Sequence, residues 1–142
     1  MKESKSWYFL PDDEIPKGFV YPQSYFDFIK DIKSPNKAML GMYPWIFVGE
    51  YVWAKNKSKE TFGVDLVPFA QAEDLDMMAY FEVSNLQEPK IWVCDPWESI
   101  PELRVYKVLD NFEDWLSYAK EISNNELEQK PHFRNDEFWF PK

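Results

Sequence analysis

The sequence predicts an α+β domain: one antiparallel sheet of about four to six strands, flanked by helices. Three observations predict it. Residues 21–29, Tyr-Pro-Gln-Ser-Tyr-Phe-Asp-Phe-Ile, and residues 111–116, Asn-Phe-Glu-Asp-Trp-Leu, carry apolar side chains at helical spacing. Between them, short apolar runs alternate with short turn-rich links, the pattern of an antiparallel meander. The 142 residues, 45% of them hydrophobic, suit a single domain over residues 1–142 with one core.

Each element has its own justification. Residues 7–10, Trp-Tyr-Phe-Leu, are strand-like and end in the turn-rich Pro11 to Pro16. Pro22 suits a first helical turn, where its missing N–H costs nothing. Tyr25, Phe28, Ile29 and Ile32 then share a face that Phe26 widens, and Pro35 ends the helix near Ser34. Residues 36–42 form a loop or a short helix, and Tyr43 to Val48 is an apolar run before Gly49. Glu50 to Phe62 reads as a second helix ended by Gly63. Leu66 to Ala70 reads as a strand, and Pro68 restricts it to an edge or a strand start because proline lacks the N–H donor. Residues 77–83, 90–95 and 103–109 are the next three strands. The last helix starts on Asp110 with Glu113 three residues on, which fits a capping box. Phe112, Trp115, Leu116, Ala119 and Ile122 mark its buried face. The core is expected over about residues 7–122, followed by an aromatic tail at 123–142. In that tail Phe138 to Phe140 are expected to dock on the domain or on a partner, because a disordered tail rarely carries so many rings.

Charge and composition exclude several function classes. Net charge is −9 and unevenly placed. Residues 1–60 hold nine lysines against eight carboxylates, whereas residues 61–142 hold seven basic and seventeen acidic groups. Such a surface repels nucleic acid and attracts a basic partner. Aromatic residues reach 19%, with seven Trp, eight Tyr and twelve Phe, so rings left outside the core are ready anchors for a partner. No apolar window reaches membrane-span length, and the charged opening Met1 to Lys5 is not followed by an apolar stretch. A membrane partner is therefore not expected, and the cytoplasm is the expected compartment. The single cysteine, Cys94, agrees with a reducing environment.

Catalytic equipment is sparse. One Cys and one His, Cys94 and His132, are too few for an ordinary zinc site and lie far apart in sequence for a nucleophile pair. Cys94 reads as an inert core thiol. The run Glu73-Asp74-Leu75-Asp76 lacks the glycine and terminal glutamate of a calcium loop and reads as a solvated acidic loop. Four scattered glycines make no phosphate-cradling loop. With twenty-five Asp and Glu some carboxylate pair always looks plausible, so that signal carries little weight. No catalytic residue, metal or cofactor is expected.

The order of three blocks carries a resemblance. The Pro-led aromatic helix at 21–29, the Leu-Val-Pro-Phe-Ala strand at 66–70 and the Phe-Glu-Asp-Trp-Leu helix at 112–116 resemble the SUKH superfamily over roughly Leu10 to Ile122. Pro22, Tyr25, Phe28, Pro68, Phe69 and Trp115 match its patterned positions. Two features depart from it: Ser34-Pro35-Asn36-Lys37 stands where an Asn-Gly turn often follows the first helix, and Leu75-Asp76 replaces a Gly-Asp pair. The resemblance implies a helix-flanked antiparallel sheet. It also implies a bacterial immunity protein, the antitoxin of a polymorphic toxin system, that binds a cognate toxin, often a nuclease. Other members are regulatory or scaffold proteins of eukaryotic wall synthesis. No shared catalytic residue follows from it.

The expected function is therefore a cytoplasmic immunity protein acting by protein–protein interaction. Its acidic contact residues would be Glu73, Asp74, Asp76, Glu98, Glu102, Asp136 and Glu137, with Trp97, Trp53 and Trp139 as aromatic anchors. For Trp97 the competing reading is core packing beside its strand. The alternative function is a non-catalytic regulatory or scaffold module, and an enzyme is the third reading. An aromatic-rich chain can also self-associate, so a homodimer belongs among the expected partners.

Overall fold

The links between the last four apolar runs are too short for a crossover, so each strand must pair with the next along the chain. The computed structural model, which describes residues 6–30, 44–72, 77–84 and 87–129, has this arrangement. Its strands are β1 (Trp45–Phe47), β2 (Leu66–Ala72), β3 (Met77–Glu82), β4 (Ile91–Cys94) and β5 (Val105–Leu109). They form one antiparallel sheet in the order β1-β2-β3-β4-β5. Three helices flank it: α1 (Gln23–Ile29), α2 (Val52–Phe62) and α3 (Phe112–Gln129). The fold is α+β, as the sequence predicts.

One face of the sheet is an aromatic core. Phe69 stacks on Phe81 at 4.3 Å between ring centres, Tyr25 of α1 and Phe112 of α3 close over both, and Trp115 of α3 packs on Phe69. Trp45 meets Trp115 edge to face at 5.2 Å. Edge-to-face pairs set the positive ring edge against the negative ring face, which adds directionality to burial. The phenols find partners: Tyr25 O–H donates to the Tyr8 carbonyl at 2.7 Å, and Tyr21 Oη accepts from Leu10 N–H at 2.9 Å. The opposite face carries a smaller cluster of Leu66, Met78, Tyr80 and Cys94 against Ala54 of α2, with Tyr51, Phe62 and Trp92 at its rim.

Several expectations are corrected in detail. Pro68 lies within β2, a strand with neighbours on both sides, and not in an edge strand. Two local features admit it. β1 pairs only with Ala70 to Ala72, and Phe69 is the extra residue of a bulge, since Pro68 pairs with Tyr80 and Ala70 with Ala79. The bulge excuses the missing N–H and turns Phe69 into the aromatic core. Pro22 sits one residue before α1, where its carbonyl accepts the Tyr25 and Phe26 N–H groups. The capping residue of α3 is Asn111, whose Oδ1 accepts Asp114 N–H at 2.8 Å, not Asp110. That helix continues to Gln129, so the first seven residues of the expected tail are helical.

The run at 7–10 opens with a 3₁₀ turn, Ser6–Tyr8, in place of a strand. It lies against the end of β1, where Gly49 N–H donates to the Trp7 carbonyl at 2.8 Å. A Cβ on Gly49 would overlap the Tyr8 carbonyl, so glycine there permits the close approach of two backbones. Gly63 ends α2 in the left-handed region, at φ 75°, and its N–H donates to the Lys59 carbonyl, as expected. β1 itself went unassigned by sequence reasoning. The expected end of the first helix near Ser34 and the loop at 36–42 lie outside the described residues.

Candidate functional site

The ten residues joining β4 to β5 form the most organised connection in the described chain. Asp95 begins it: its N–H donates to the Arg104 carbonyl at 2.7 Å and its carboxylate accepts Trp97 N–H at 3.0 Å. Glu98 holds the middle, its carboxylate accepting Ile100 N–H at 3.0 Å and its carbonyl accepting Arg104 Nε at 2.7 Å. A 3₁₀ turn, Pro101–Leu103, leads into β5. Thr61 Oγ1 of α2 donates to the Pro96 carbonyl at 3.0 Å and ties the loop to the helix.

This scaffold holds large apolar side chains out in solvent. Trp97 is 47% exposed and Trp53 of α2 is 53% exposed, and they meet at 5.5 Å between ring centres. Tyr51 stacks on Trp53 at 4.8 Å. Ile100 and Leu103 are also about half exposed. The apolar surface runs on into β5, where Val105, Tyr106 and Val108 are exposed. Burying an exposed ring held by its backbone costs a partner little entropy, which is the physical basis of an interface anchor. The loop, the start of α2 and β5 therefore make an aromatic ledge suited to a protein partner.

The expected site residues fall into three groups. Trp97 and Trp53 stand together on the ledge, so core packing is not the role of Trp97. Glu102 is exposed in the same loop, whereas the carboxylate of Glu98 is engaged in holding the loop together. Glu73, Asp74, Asp76, Asp136, Glu137 and Trp139 lie outside the described residues. Sequence reasoning missed Tyr51, Ile100, Leu103, Val105, Tyr106 and Val108 as surface groups. The available signal was Lys107 inside the last apolar strand, since a lysine in such a run marks a sheet edge.

Other places offer less chemistry. Cys94 is fully buried, and burial, then the neighbouring Asp95, push its thiol well above the usual range. It stays protonated and makes a poor nucleophile. Tyr80 beside it is likewise pushed up by burial, then by Cys94 and Asp95. A cleft of about 540 Å³ opens between Gly18, Val20 and Tyr21 to Gln23 on one side and Ser84, Gln87 and Glu88 on the other. Its carboxylate, Glu88, accepts the Ser24 hydroxyl at 3.0 Å, and among the described residues no histidine or lysine lines it to act as a base. Among the described residues no cluster of three His, Cys, Asp or Glu could hold a metal ion, and no helix is long and apolar enough to cross a membrane.

Compared with protein-family models, with curated protein sequences and with solved structures, the chain matches none.

Proposed function

We propose that this protein is a non-catalytic, cytoplasmic immunity protein that binds a basic toxin domain, of the nuclease type, and keeps it from its substrate. The aromatic ledge is the observation that carries this reading. Trp97 and Trp53 form an exposed pair on a backbone fixed by hydrogen bonds, the composition and rigidity of a hot spot. The excess of carboxylates in residues 61–142 supports a basic partner, which it attracts over a distance of about one Debye length.

The test is survival of a sensitive bacterium that co-expresses this protein with the toxin domain of a neighbouring gene. Rescue, a purified complex and loss of both in Trp97→Ala support the reading. A toxic neighbour without rescue, or rescue that survives Trp53→Ala/Trp97→Ala, overturns it. A regulatory or scaffold module that binds another cytoplasmic protein is the second reading. It is favoured by one detail: Glu98 is tied up in the loop, which leaves the ledge more aromatic than acidic. A partner that binds the ledge without being toxic selects it.

A further inference from the structure

β5 is the open edge of the sheet, since β4 is its one neighbour among the described residues. Val105 to Val108 are all exposed, on both faces of the strand. An apolar edge of this kind is a template for another strand. Its charges say which strand fits. Arg104 lies just before β5, where its Nε donates to the Glu98 carbonyl, and Asp110 lies just after it; neither forms an ion pair among the described residues. A second β5 laid antiparallel and centred on Lys107 brings Arg104 of each copy, which ends the 3₁₀ turn just outside the strand, beside Asp110 of the other. The same register sets Val105 opposite Leu109 and Tyr106 opposite Val108. The edge is thus self-complementary in both charge and hydrophobicity, as a two-fold interface requires.

We propose that β5 is a self-association edge, on which a second copy of this chain adds its own β5 in the register centred on Lys107. The product is a continuous ten-stranded antiparallel sheet. The two-fold axis stands perpendicular to that sheet, so both aromatic ledges lie on the same side of it. Lys107 opposes this pairing, because it meets its own copy on the axis. Tyr106 adds a bend: Val93 pairs with Lys107 and Cys94 with Val105, which leaves Tyr106 as a bulge residue. Both features weaken the edge without removing it and make the dimer concentration-dependent. The inference is independent of the toxin reading.

Sedimentation of the full chain over a concentration series is the test. A monomer–dimer equilibrium is expected. Asp110→Arg should weaken it by about tenfold, since the reversed contact occurs twice across the axis. Lys107→Thr should strengthen it several-fold, by roughly the cost of one like-charge pair. Lys107→Cys reports the register: it leaves Arg104 and Asp110 in place and removes the like-charge contact on the axis. Opposed residues on the axis lie within disulfide reach, and buried Cys94 does not compete. A chain that is monomeric at every concentration overturns the proposal. So does a dimer indifferent to Asp110→Arg, or one that Lys107→Cys fails to cross-link on oxidation.

Discussion

β2 and β5 are both mostly apolar strands, and they have opposite surroundings. β2 reads Leu-Val-Pro-Phe-Ala-Gln-Ala and is buried almost throughout, while β5 reads Val-Tyr-Lys-Val-Leu and is exposed almost throughout. Composition makes both of them strands. Position in the sheet decides what the side chains do. In β2 they are held by strands on both sides and by α1 and α3 above. In β5 they have one neighbour strand among the described residues, and Val105 and Val108 stay exposed. The lesson is that an apolar strand at the end of a meander is as much a surface as a core element.

The contrast predicts a steep gradient in stability. Phe69→Ala empties a site packed by Tyr25, Phe81, Phe112 and Trp115, and should cost ~3–5 kcal/mol in a urea denaturation series. If it costs no more than a change in β5, the two strands do not differ as described.

Alkaline pH should attack the same aromatic core. Burial pushes Tyr21 up to about 12, partly offset by the Leu10 hydrogen bond, and pushes Tyr25 well above the ordinary value, with Tyr21 and Tyr8 adding to it. Folding therefore favours the protonated phenols. Their contribution is fully present below the unfolded value of about 10 and is lost as pH rises toward the folded values. Each buried phenol should lower stability by ~1.4 kcal/mol per pH unit in that window. Phenolate absorbance should rise together with unfolding. If these phenols titrate near pH 10 in the folded protein, they are not sealed.

Gly49→Ala should come next, at ~1–3 kcal/mol, because its Cβ forces the Tyr8 backbone off the end of β1. Asn111→Ala removes the cap of α3 and should cost about 1 kcal/mol in the same denaturation assay. Val108→Thr is the smallest change. It should stay within ~0.5 kcal/mol of the parent, and a larger loss would mean that β5 is covered after all.

Much of this fold is legible in the sequence, and the failures have physical causes. The helices show through spacing, as at Tyr25 and Ile29 or at Phe112, Trp115 and Ala119, because one face of each is buried. β1 is hard to read because it is three residues long and buried on both sides, so no alternation marks it. Pro68 misleads because a bulge suspends the rule that keeps proline at edges, and bulges leave no composition signal. The cap of α3 is misplaced by one residue because Asp110 and Asn111 are both good capping residues, and backbone geometry chose between them. The site is half legible. A tryptophan in a loop announces itself, but the pairing of Trp97 with Trp53 depends on α2 folding back over β4, a contact between distant parts of the chain.

The strand order also bears on how the molecule is made. Because every strand lies beside its chain neighbour, the sheet can grow in the order of synthesis without waiting for a distant segment. The aromatic face differs, since Phe69 and Phe81 await Phe112 and Trp115 from the last helix. A nascent chain thus carries an aromatic sheet face covered only by α1 and the segment before it until α3 leaves the ribosome. In that interval it is most exposed to aggregation and most in need of a chaperone.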